Sequence, residues 1–371
     1  MLSAFKKKII FKKNKSVDIL LLDENYSKLS FSNKSQFILK FDEINIYYIL
    51  KVLFKYFSFS NLRKRYWKLF YEELNPKVAI GHDINLKIFE FKEMFPEKKT
   101  ICYQFGHYWE IHIERSQESF KDKKSDYFLT FTDWEQKNIY NKVETQFLTT
   151  GSIKNNNYLP NQKKKIYDIM FISEFRDLNP ITINKIKKGY HSHTFVNQSR
   201  NMTFGDVCNI YILQILNKLE KSLNKKICIA LSSNRNDKNG KISQSKEKIF
   251  FSEYLKNYYT ENLNSNELAE KSNLIICIGS NLGPELLAQG KKVLFLNLNS
   301  LTNDWHYFRS FDGPFWYKGK DKDIIEDKID KLLNLNDIEW KKILEKNSES
   351  IMKYDKHNSI LRNLVEELCE K

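Results

Sequence analysis

The residues best suited to bind a phosphorylated ligand follow a strongly apolar segment late in the chain. Leu274–Gly279 predicts a buried strand, and the small polar residues Ser280 and Asn281 come directly after it. Gly279 and Gly283 are expected to let the backbone approach a ligand closely. Ser280 or Asn281 is expected to cap the helix that follows, and unpaired N–H groups at a helix start favour phosphate.

The same turn extends to Leu282, and Glu285 lies in the first turn of the predicted helix, where its carboxylate could accept hydrogen bonds from a ribose. We therefore predict a nucleotide site from Ser280 to Glu285. The alternative is an ordinary strand–turn–helix junction with a capping side chain and an acidic first turn. The spacing of the glycines is not that of a dinucleotide-binding fingerprint.

Two more predicted strand ends in this half of the chain carry polar residues. Ser173 and Arg176 follow the first strand, and Ser232 and Arg235 follow the next. Either arginine could bind a pyrophosphate or a sugar carboxylate in a bidentate way. The alternatives are a solvent-facing Arg176 paired with a neighbouring acid, and a solvated loop around Arg235.

In the first half of the chain, polar residues end two predicted strands. Asp83 and His107 are the candidates for general base toward an acceptor hydroxyl. His82, Gln104 and Gly106 lie beside them in the sequence and are predicted to bind the acceptor. For the histidines the alternative is a local hydrogen bond at a strand end.

Aromatic residues could line a sugar-binding surface. Trp109 is predicted to contact the acceptor, and the segment Asn303–Gly319 holds several aromatic side chains together with a Gly-Pro pair. The alternative for Asn303–Gly319 is packing beneath the C-terminal helices. No metal site is predicted, because His191 and His193 have no nearby carboxylate or cysteine in the sequence to complete a ligand set.

These candidates require parallel sheets to position them. Short apolar runs alternate with amphipathic segments, which predicts an α/β fold with two doubly wound sheets whose ligands bind at the carboxyl ends of the strands. The segment Ser152–Lys165 is rich in Asn and Lys and contains Pro160, which predicts a linker. We therefore predict domains at 1–157 and 158–350, with a helix in 351–371 that could pack back on the first domain.

The net charge of +15 suggests an anionic partner, although much of it could reflect a composition rich in lysine throughout. No signature of nucleic-acid binding is present. No run approaches the roughly 20 apolar residues of a membrane-spanning helix, and no signal peptide is recognisable, so a cytoplasmic location is expected. Five scattered cysteines are expected to be reduced core residues.

The segment GSNLGPELLAQGKKVLF, at 279–295, resembles the donor-domain motif of bacterial surface-carbohydrate biosynthesis proteins, which are glycosyltransferases of the GT-B architecture. The segments FISEFR, TTGSIKNN, KVAIGHD, YQFGHYW and GPFWYKG have the same family character, so the resemblance spans most of the chain. It implies two Rossmann-like domains facing a cleft, an N-terminal acceptor domain and a C-terminal nucleotide-sugar domain. Asn281 and Gln289 stand where many relatives have Thr and Arg.

The resemblance implies transfer of a sugar from a nucleotide-activated donor to a cell-surface glycan, such as lipopolysaccharide or capsule, or to its lipid-linked precursor. It also implies that no metal or other cofactor is required, and a CMP-linked donor is one candidate. The basic surface would suit a cytoplasmic enzyme peripheral to the inner face of an anionic membrane. Two alternatives remain: a sugar-nucleotide epimerase, and a non-catalytic binding protein for anionic glycans.

Overall fold

The computed structural model describes residues 8–23, 29, 31, 33–40, 43–56, 61–108, 113–161, 163–175, 183–184, 187–188, 195–197, 202–232, 238–260, 263–298, 308 and 310–370. The chain folds as two compact units. Unit 1 comprises Met1–His107, Ile113–Asn157 and Lys353–Lys371, and unit 2 comprises Tyr108–His112 and Tyr158–Met352.

Unit 1 is built on a six-stranded sheet in which every neighbouring pair of strands is parallel. Its order is β3-β2-β5-β6-β7-β8. The strands are β2 (Ile19–Leu21), β3 (Gln36–Ile38), β5 (Val78–His82), β6 (Lys99–Tyr103), β7 (Lys124–Thr130) and β8 (Glu144–Thr149). Strands β2 and β5 are buried along their whole length, as expected for a parallel sheet covered on both faces.

Short helices and one small sheet complete unit 1. Strands β1 (Lys8–Ile10) and β4 (Glu43–Asn45) form a separate two-stranded parallel sheet. The helices are α1 (Ile46–Tyr56), α2 (Leu62–Leu74), α3 (Lys87–Met94), α4 (Ile113–Ser119), α5 (Asp133–Asn138), α6 (Ile153–Asn156) and, at the end of the chain, α13 (Ser359–Glu370). The apolar face of α13, including Leu361 and Val365, packs in the same core cluster as Val78 and Ile80 of β5.

The start of the predicted linker is an ordered part of unit 1. Asn156 in α6 is fully buried, and its Nδ2 donates to the Thr150 carbonyl oxygen (2.9 Å) and to Oδ1 of Asn358 (3.0 Å). The Asp355 N–H donates to Oδ1 of Asn156 (3.0 Å). The linker prediction was therefore wrong at 152–157, because asparagines that resemble a solvated loop in composition here satisfy buried backbone groups.

Unit 2 has a second six-stranded sheet, ordered β12-β9-β13-β14-β16-β15. Its strands are β9 (Tyr167–Ile172), β12 (Ile227–Ala230), β13 (Ser272–Cys277), β14 (Val293–Leu296), β15 (Asp312–Gly313) and β16 (Trp316–Tyr317). All neighbours are parallel except the β15–β16 pair. A separate antiparallel pair joins β10 (Phe195–Asn197) and β11 (Met202–Thr203).

The helices of unit 2 are α7 (Phe204–Leu223), α8 (Lys238–Ser252), α9 (Ser265–Glu270), α10 (Leu282–Ala288), α11 (Lys322–Asn334) and α12 (Asp337–Lys346). The predicted α/β class with two Rossmann-like sheets and C-terminal helices is confirmed. Helix α8 begins three residues after Arg235, in the part of the chain for which a solvated loop was the alternative. None of the helices that the structure describes is both long and apolar enough to cross a bilayer.

The aromatic segment before α11 packs largely inside unit 2. Phe308 stacks on Trp316 with ring centroids 4.8 Å apart, and Phe315 meets Trp340 of α12 edge to face at 5.7 Å. All four side chains are buried. For the described part of Asn303–Gly319, packing against the C-terminal helices therefore accounts for most of the aromatic residues, with Phe311 remaining exposed. The five cysteines are buried and free, as predicted.

Candidate functional site

The strand orders place a topological switch point in each unit. In unit 2 the chain passes from β9 to β12 on one side and then to β13 on the other. In unit 1 it passes from β2 to β3 and then to β5 on the opposite side. Ligands of open α/β sheets bind beyond the carboxyl ends of the strands at such points. The residues after β9 and β13, and those after β2 and β5, are therefore the candidates.

At the switch point of unit 2, a hydrogen bond between a side chain and the backbone links the segments that follow the two strands. The Gly279 N–H, beyond β13, donates to Oε1 of Glu174, beyond β9, over 3.3 Å. The Glu174 N–H in turn donates to Oδ1 of Asn209 in α7 (3.2 Å). Ser173 is buried, and its Oγ accepts a hydrogen bond from the Phe175 N–H (3.0 Å). Glu174 thus holds the start of the turn at Ser280–Gly283, which the sequence analysis predicted as a nucleotide site.

The turn after β13 is organised by Ser280. Its Oγ accepts from the Leu282 N–H (3.3 Å), and its carbonyl oxygen accepts from the Gly283 N–H (3.0 Å). Asn281 is exposed and makes no side-chain capping bond. Of the two predicted caps, Ser280 therefore bonds the start of α10, and the side chain of Asn281 is left facing solvent.

Gly283 has a different role from the predicted one. A Cβ at this position would lie 2.5 Å from Sγ of Cys277 and 2.9 Å from Cε1 of Phe295. The missing side chain allows α10 to pack closely on β13 and β14, so close approach to a ligand is not what requires this glycine. Glu285 is also largely buried within α10, and its predicted contact with a ribose stays a prediction.

The thiol of Cys277 lies directly beneath the turn. Burial raises the pKa of Cys277 far above its ordinary value, and the nearby Glu174 carboxylate raises it further. Its Sγ donates to the Ser280 carbonyl oxygen at 3.4 Å. Cys277 therefore remains a protonated packing residue under the turn and is unsuited to act as a nucleophile.

Ser232, beyond β12, is anchored by a carboxylate that the sequence did not indicate. Its N–H donates to Oε1 of Glu247 (2.9 Å), and its Oγ donates to the Phe175 carbonyl oxygen (2.5 Å). Glu247 lies in α8 and is fully buried. Ser173, Ser232 and Ser280 thus lie beyond the carboxyl ends of three adjacent strands, β9, β12 and β13. Arg176 and Arg235 lie outside the described residues.

At the switch point of unit 1, a carboxylate and an imidazole meet. Asp23, just beyond β2, contacts Nε2 of His82, the last residue of β5. Nδ1 of His82 accepts from the Ile84 N–H (3.1 Å). Because Nδ1 is an acceptor, Nε2 carries the ring proton, and the Asp23 carboxylate is the acceptor beside it, with Asn85 Nδ2 3.1 Å from the same nitrogen. His82 was predicted to bind acceptor, and Asp23 was not predicted at all.

Asp83 is enclosed by its own unit. One carboxylate oxygen accepts from the Phe105 N–H (3.1 Å), the other accepts from the Tyr140 hydroxyl (2.7 Å), and the residue is 0% exposed. These contacts tie the end of β5 to the segment after β6. Because Asp83 has no exposed surface, its predicted role as general base would require rearrangement.

Gln104 and His107 converge on another buried carboxylate. Gln104 Nε2 donates to the Gly106 carbonyl oxygen (3.0 Å) and approaches Oε1 of Glu135 (3.4 Å). Nδ1 of His107 lies 4.0 Å from the same oxygen, and its ring packs on Phe131. The His107 side chain is only 1% exposed, so its predicted role as base would require rearrangement. Trp109 lies outside the described residues.

Several residues of these networks were not predicted, namely Asp23, Glu135, Tyr140, Glu174 and Glu247. Of these, Glu135 had one signal in the sequence, because Thr132 and Glu135 have the spacing of the capping box that they form at the start of α5. The others depend on which strands are neighbours. No cluster of three or more His, Cys, Asp or Glu side chains suited to a metal occurs among the described residues, and His191 and His193 lie outside them.

Comparison with solved structures finds distant likenesses over nearly the whole chain. A glycosyltransferase from Rickettsia africae ESF-5 shares 10% identity, with a TM-score of 0.46 over 99% of this chain and 100% of the other. The wall teichoic acid polymerase TagF shares 14% identity, with a TM-score of 0.44 over 97% and 90%. UDP-GlcNAc 2-epimerase from Neisseria meningitidis shares 10% identity, with a TM-score of 0.48 over 94% and 98%.

Among curated proteins, none matches the sequence significantly. Residues 106–369 match the model of a protein family described as "putative O-antigen biosynthesis protein". The match takes in the end of the unit 1 sheet, all of unit 2 and most of α13. Since it spans more than half of the chain, the protein belongs to this O-antigen biosynthesis family.

Proposed function

We propose that the protein is a glycosyltransferase that moves a sugar from a nucleotide-activated donor to a cell-surface glycan or its lipid-linked precursor. The observation that carries the proposal is the switch point of unit 2, where small polar turns after β9 and β13 are braced by the bond between Glu174 and Gly279. Membership in an O-antigen biosynthesis family supplies the substrate class, because an O-antigen is a polymer of sugars.

In this proposal the donor phosphates lie against the turn from Ser280 to Gly283. The exposed amide of Asn281 is available to them, and Ser173 and Ser232 follow the neighbouring strands of the same edge. Arg176 and Arg235 remain the predicted charge partners of the leaving phosphates. The donor needs no metal in this scheme, and a CMP-linked sugar is one candidate among the nucleotides to be tested.

For the acceptor, we take Asp23 rather than Asp83 as the base, because the Asp23 side chain keeps 6% exposure whereas Asp83 is 0% exposed. The Asp23 carboxylate is oriented by the Nε2 proton of His82, and both residues lie at the switch point of unit 1. A carboxylate held in this way is suited to receive the proton of an acceptor hydroxyl as it attacks the sugar. We assign this role to Asp23 and a positioning role to His82.

The experiment compares products with and without acceptor. The purified protein is incubated with a panel of nucleotide sugars, alone and with a lipid-linked O-antigen intermediate, and nucleotide release and sugar identity are measured. Acceptor-dependent release of nucleotide together with a lengthened glycan supports the transferase. A changed sugar that stays attached to its nucleotide without acceptor identifies an epimerase. Glycan binding without either product identifies a non-catalytic binding protein.

A further inference from the structure

We propose that unit 1 docks on an anionic membrane surface through an exposed apolar stripe at its start. The stripe, here called the N-terminal apolar face, consists of Ile9, Phe11, Leu50 and Phe54. These side chains are 67%, 70%, 41% and 73% exposed, respectively. The inference is independent of glycosyl transfer, because it concerns a surface of unit 1 outside both switch points.

The four residues are brought together by local structure. Strand β1 pairs in parallel with β4, and β4 leads directly into α1. The ring of Phe11 meets Tyr47 of α1 edge to face with centroids 5.8 Å apart. Leu50 follows Tyr47 by three residues and Phe54 follows Leu50 by four, which places all three on one helix face.

The opposite side of α1 is the one that unit 1 covers. Tyr48 and Val52 are fully buried, and the Tyr48 hydroxyl donates to Oε2 of Glu73 in α2 (2.9 Å). The helix is therefore already packed on its core side. Phe54 is 73% exposed and Leu50 41%, so most of Phe54 and part of Leu50 are left for another apolar environment.

Charge around the face identifies the partner. Residues 8–15 and 43–56 contain six lysines against a single glutamate, Glu43. The lysines are Lys8, Lys12, Lys13, Lys15, Lys51 and Lys55. Two of the six are in ion pairs, Lys8 with Glu43 at 3.5 Å and Lys51 with Glu73 of α2, and the other four leave the face positively charged. Lysines that flank exposed apolar side chains are typical of surfaces that bind anionic lipids.

The apolar residues also favour lipid over nucleic acid. Single-stranded nucleic acid binds basic grooves through stacking on aromatic rings, for which the aliphatic Ile9 and Leu50 are unsuited. Aliphatic and aromatic side chains together can enter the boundary between headgroups and acyl chains, while the lysines stay at the headgroups. The face is therefore assigned to a membrane surface.

The test is co-sedimentation of the full chain with vesicles of phosphatidylcholine alone and of phosphatidylcholine mixed with phosphatidylglycerol. The test variant carries Phe11→Ser and Phe54→Ser. The matched control carries Ile249→Ser and Ile338→Ser, two isoleucines in unit 2 that are 65% and 70% exposed. Since all four positions are exposed, thermal melting of both variants should match the wild type.

We expect the wild type and the control to bind the anionic vesicles, and the test variant to bind about tenfold more weakly. Binding of the wild type should weaken in 0.5 M salt and in a Lys12→Glu, Lys55→Glu variant. Absence of wild-type binding, equal binding to both vesicle types, or equal losses in test and control variants would overturn the proposal. So would a concentration-dependent dimer, or RNA binding, that disappears specifically with Phe11 and Phe54.

Discussion

Glu174 accepts a hydrogen bond from the backbone of Gly279, so a carboxylate beyond β9 holds the turn beyond β13 across the switch point of unit 2. This contact joins the two segments that the proposed donor site needs. In unit 1 the contact between Asp23 and His82 spans the corresponding position. The first four strands of the two sheets therefore share an order, and in both sheets an acidic side chain contacts the neighbouring strand end.

Removing the Glu174 carboxylate, which accepts the hydrogen bond from Gly279, should weaken nucleotide binding. Glu174→Ala leaves the Gly279 N–H without its bond, and we expect a loss of about 1 kcal/mol in stability and weaker binding of the nucleotide. Glu174→Gln keeps a carbonyl acceptor and removes negative charge near the proposed phosphates, so it should bind as tightly as the wild type or more tightly. Calorimetric titration measures the nucleotide affinity of both variants. Weaker binding by Glu174→Gln than by Glu174→Ala would contradict the proposed role of this hydrogen bond.

Gly283 should be sensitive to a single methyl group. Gly283→Ala places a Cβ against Cys277 and Phe295, and overpacking of this kind costs about 1–3 kcal/mol. In a double-mutant cycle, Cys277→Ala should recover part of that loss, because it removes the closest atom. Urea unfolding gives the free energies. Strictly additive effects of the two substitutions would show that the predicted clash is not what destabilises the variant.

Substitution of Asp23, the proposed general base, should affect turnover without affecting nucleotide binding. Asp23→Asn should lower kcat by about 10²-fold or more while leaving nucleotide affinity in unit 2 unchanged. His82→Gln should lower kcat less than Asp23→Asn does, because the proposed role of His82 is only to orient Asp23. Asp83→Asn provides the comparison: its effect should appear in stability, since the carboxylate accepts from Tyr140 and Phe105. Full activity in Asp23→Asn would remove Asp23 from the mechanism.

Asp126 should make stability depend on acid. It accepts from the Thr100 N–H and hydroxyl, both at 2.9 Å, and from Lys92 at 2.8 Å. Burial raises the pKa of Asp126, but the hydrogen bonds from Lys92 and Thr100 outweigh that effect and hold the pKa below its ordinary value of 3.8. The unfolded chain therefore takes up this proton first as the pH falls, and the contribution of Asp126 is lost below about pH 4.

Asp126→Asn should accordingly cost about 1.5–3 kcal/mol at pH 7, with the difference from wild type shrinking as the pH falls below 4. Asp330→Asn is the matched control, because Asp330 is exposed on α11. Thermal unfolding between pH 3 and 7 gives both curves. A difference that stays constant across this range would contradict the assignment to the charged carboxylate.

The sheets were predictable because their strands are short apolar runs between polar turns. Leu274–Gly279 was predicted and Ser272–Cys277 observed, a shift of two residues that leaves the turn in place. Strand β3 was missed because it has three residues that are only partly buried, one of them the polar Gln36, which carries too little pattern. Helix α8 was missed because its Lys, Asn and Ser residues lack apolar periodicity in the first turns.

The site was predictable only in its location. Residue type and strand ends pointed to Ser280 and His82, whereas the partners Glu174 and Asp23 depend on strand order, which no local pattern encodes. Gly283 shows the limit most clearly. A glycine beside a predicted phosphate site suggested backbone approach to a ligand, but the neighbours that exclude a Cβ are Cys277 and Phe295 from the protein's own core.

The most direct test adds one negative charge where the donor phosphates are proposed to lie. Asn281 is exposed and makes no side-chain cap bond, so Asn281→Asp should leave stability nearly unchanged. The matched control is Asn273→Asp, because Asn273 is exposed near the amino end of β13, the strand that precedes the turn. Thermal unfolding is measured with CMP, CDP, UDP, GDP, dTDP and ADP.

We predict that one nucleotide at about 100 times its dissociation constant stabilises the wild type and the control by about 2.7 kcal/mol, and Asn281→Asp much less. Equal stabilisation of all three proteins would move the phosphates away from the turn at Ser280. Stabilisation by none of the nucleotides would contradict the donor site itself.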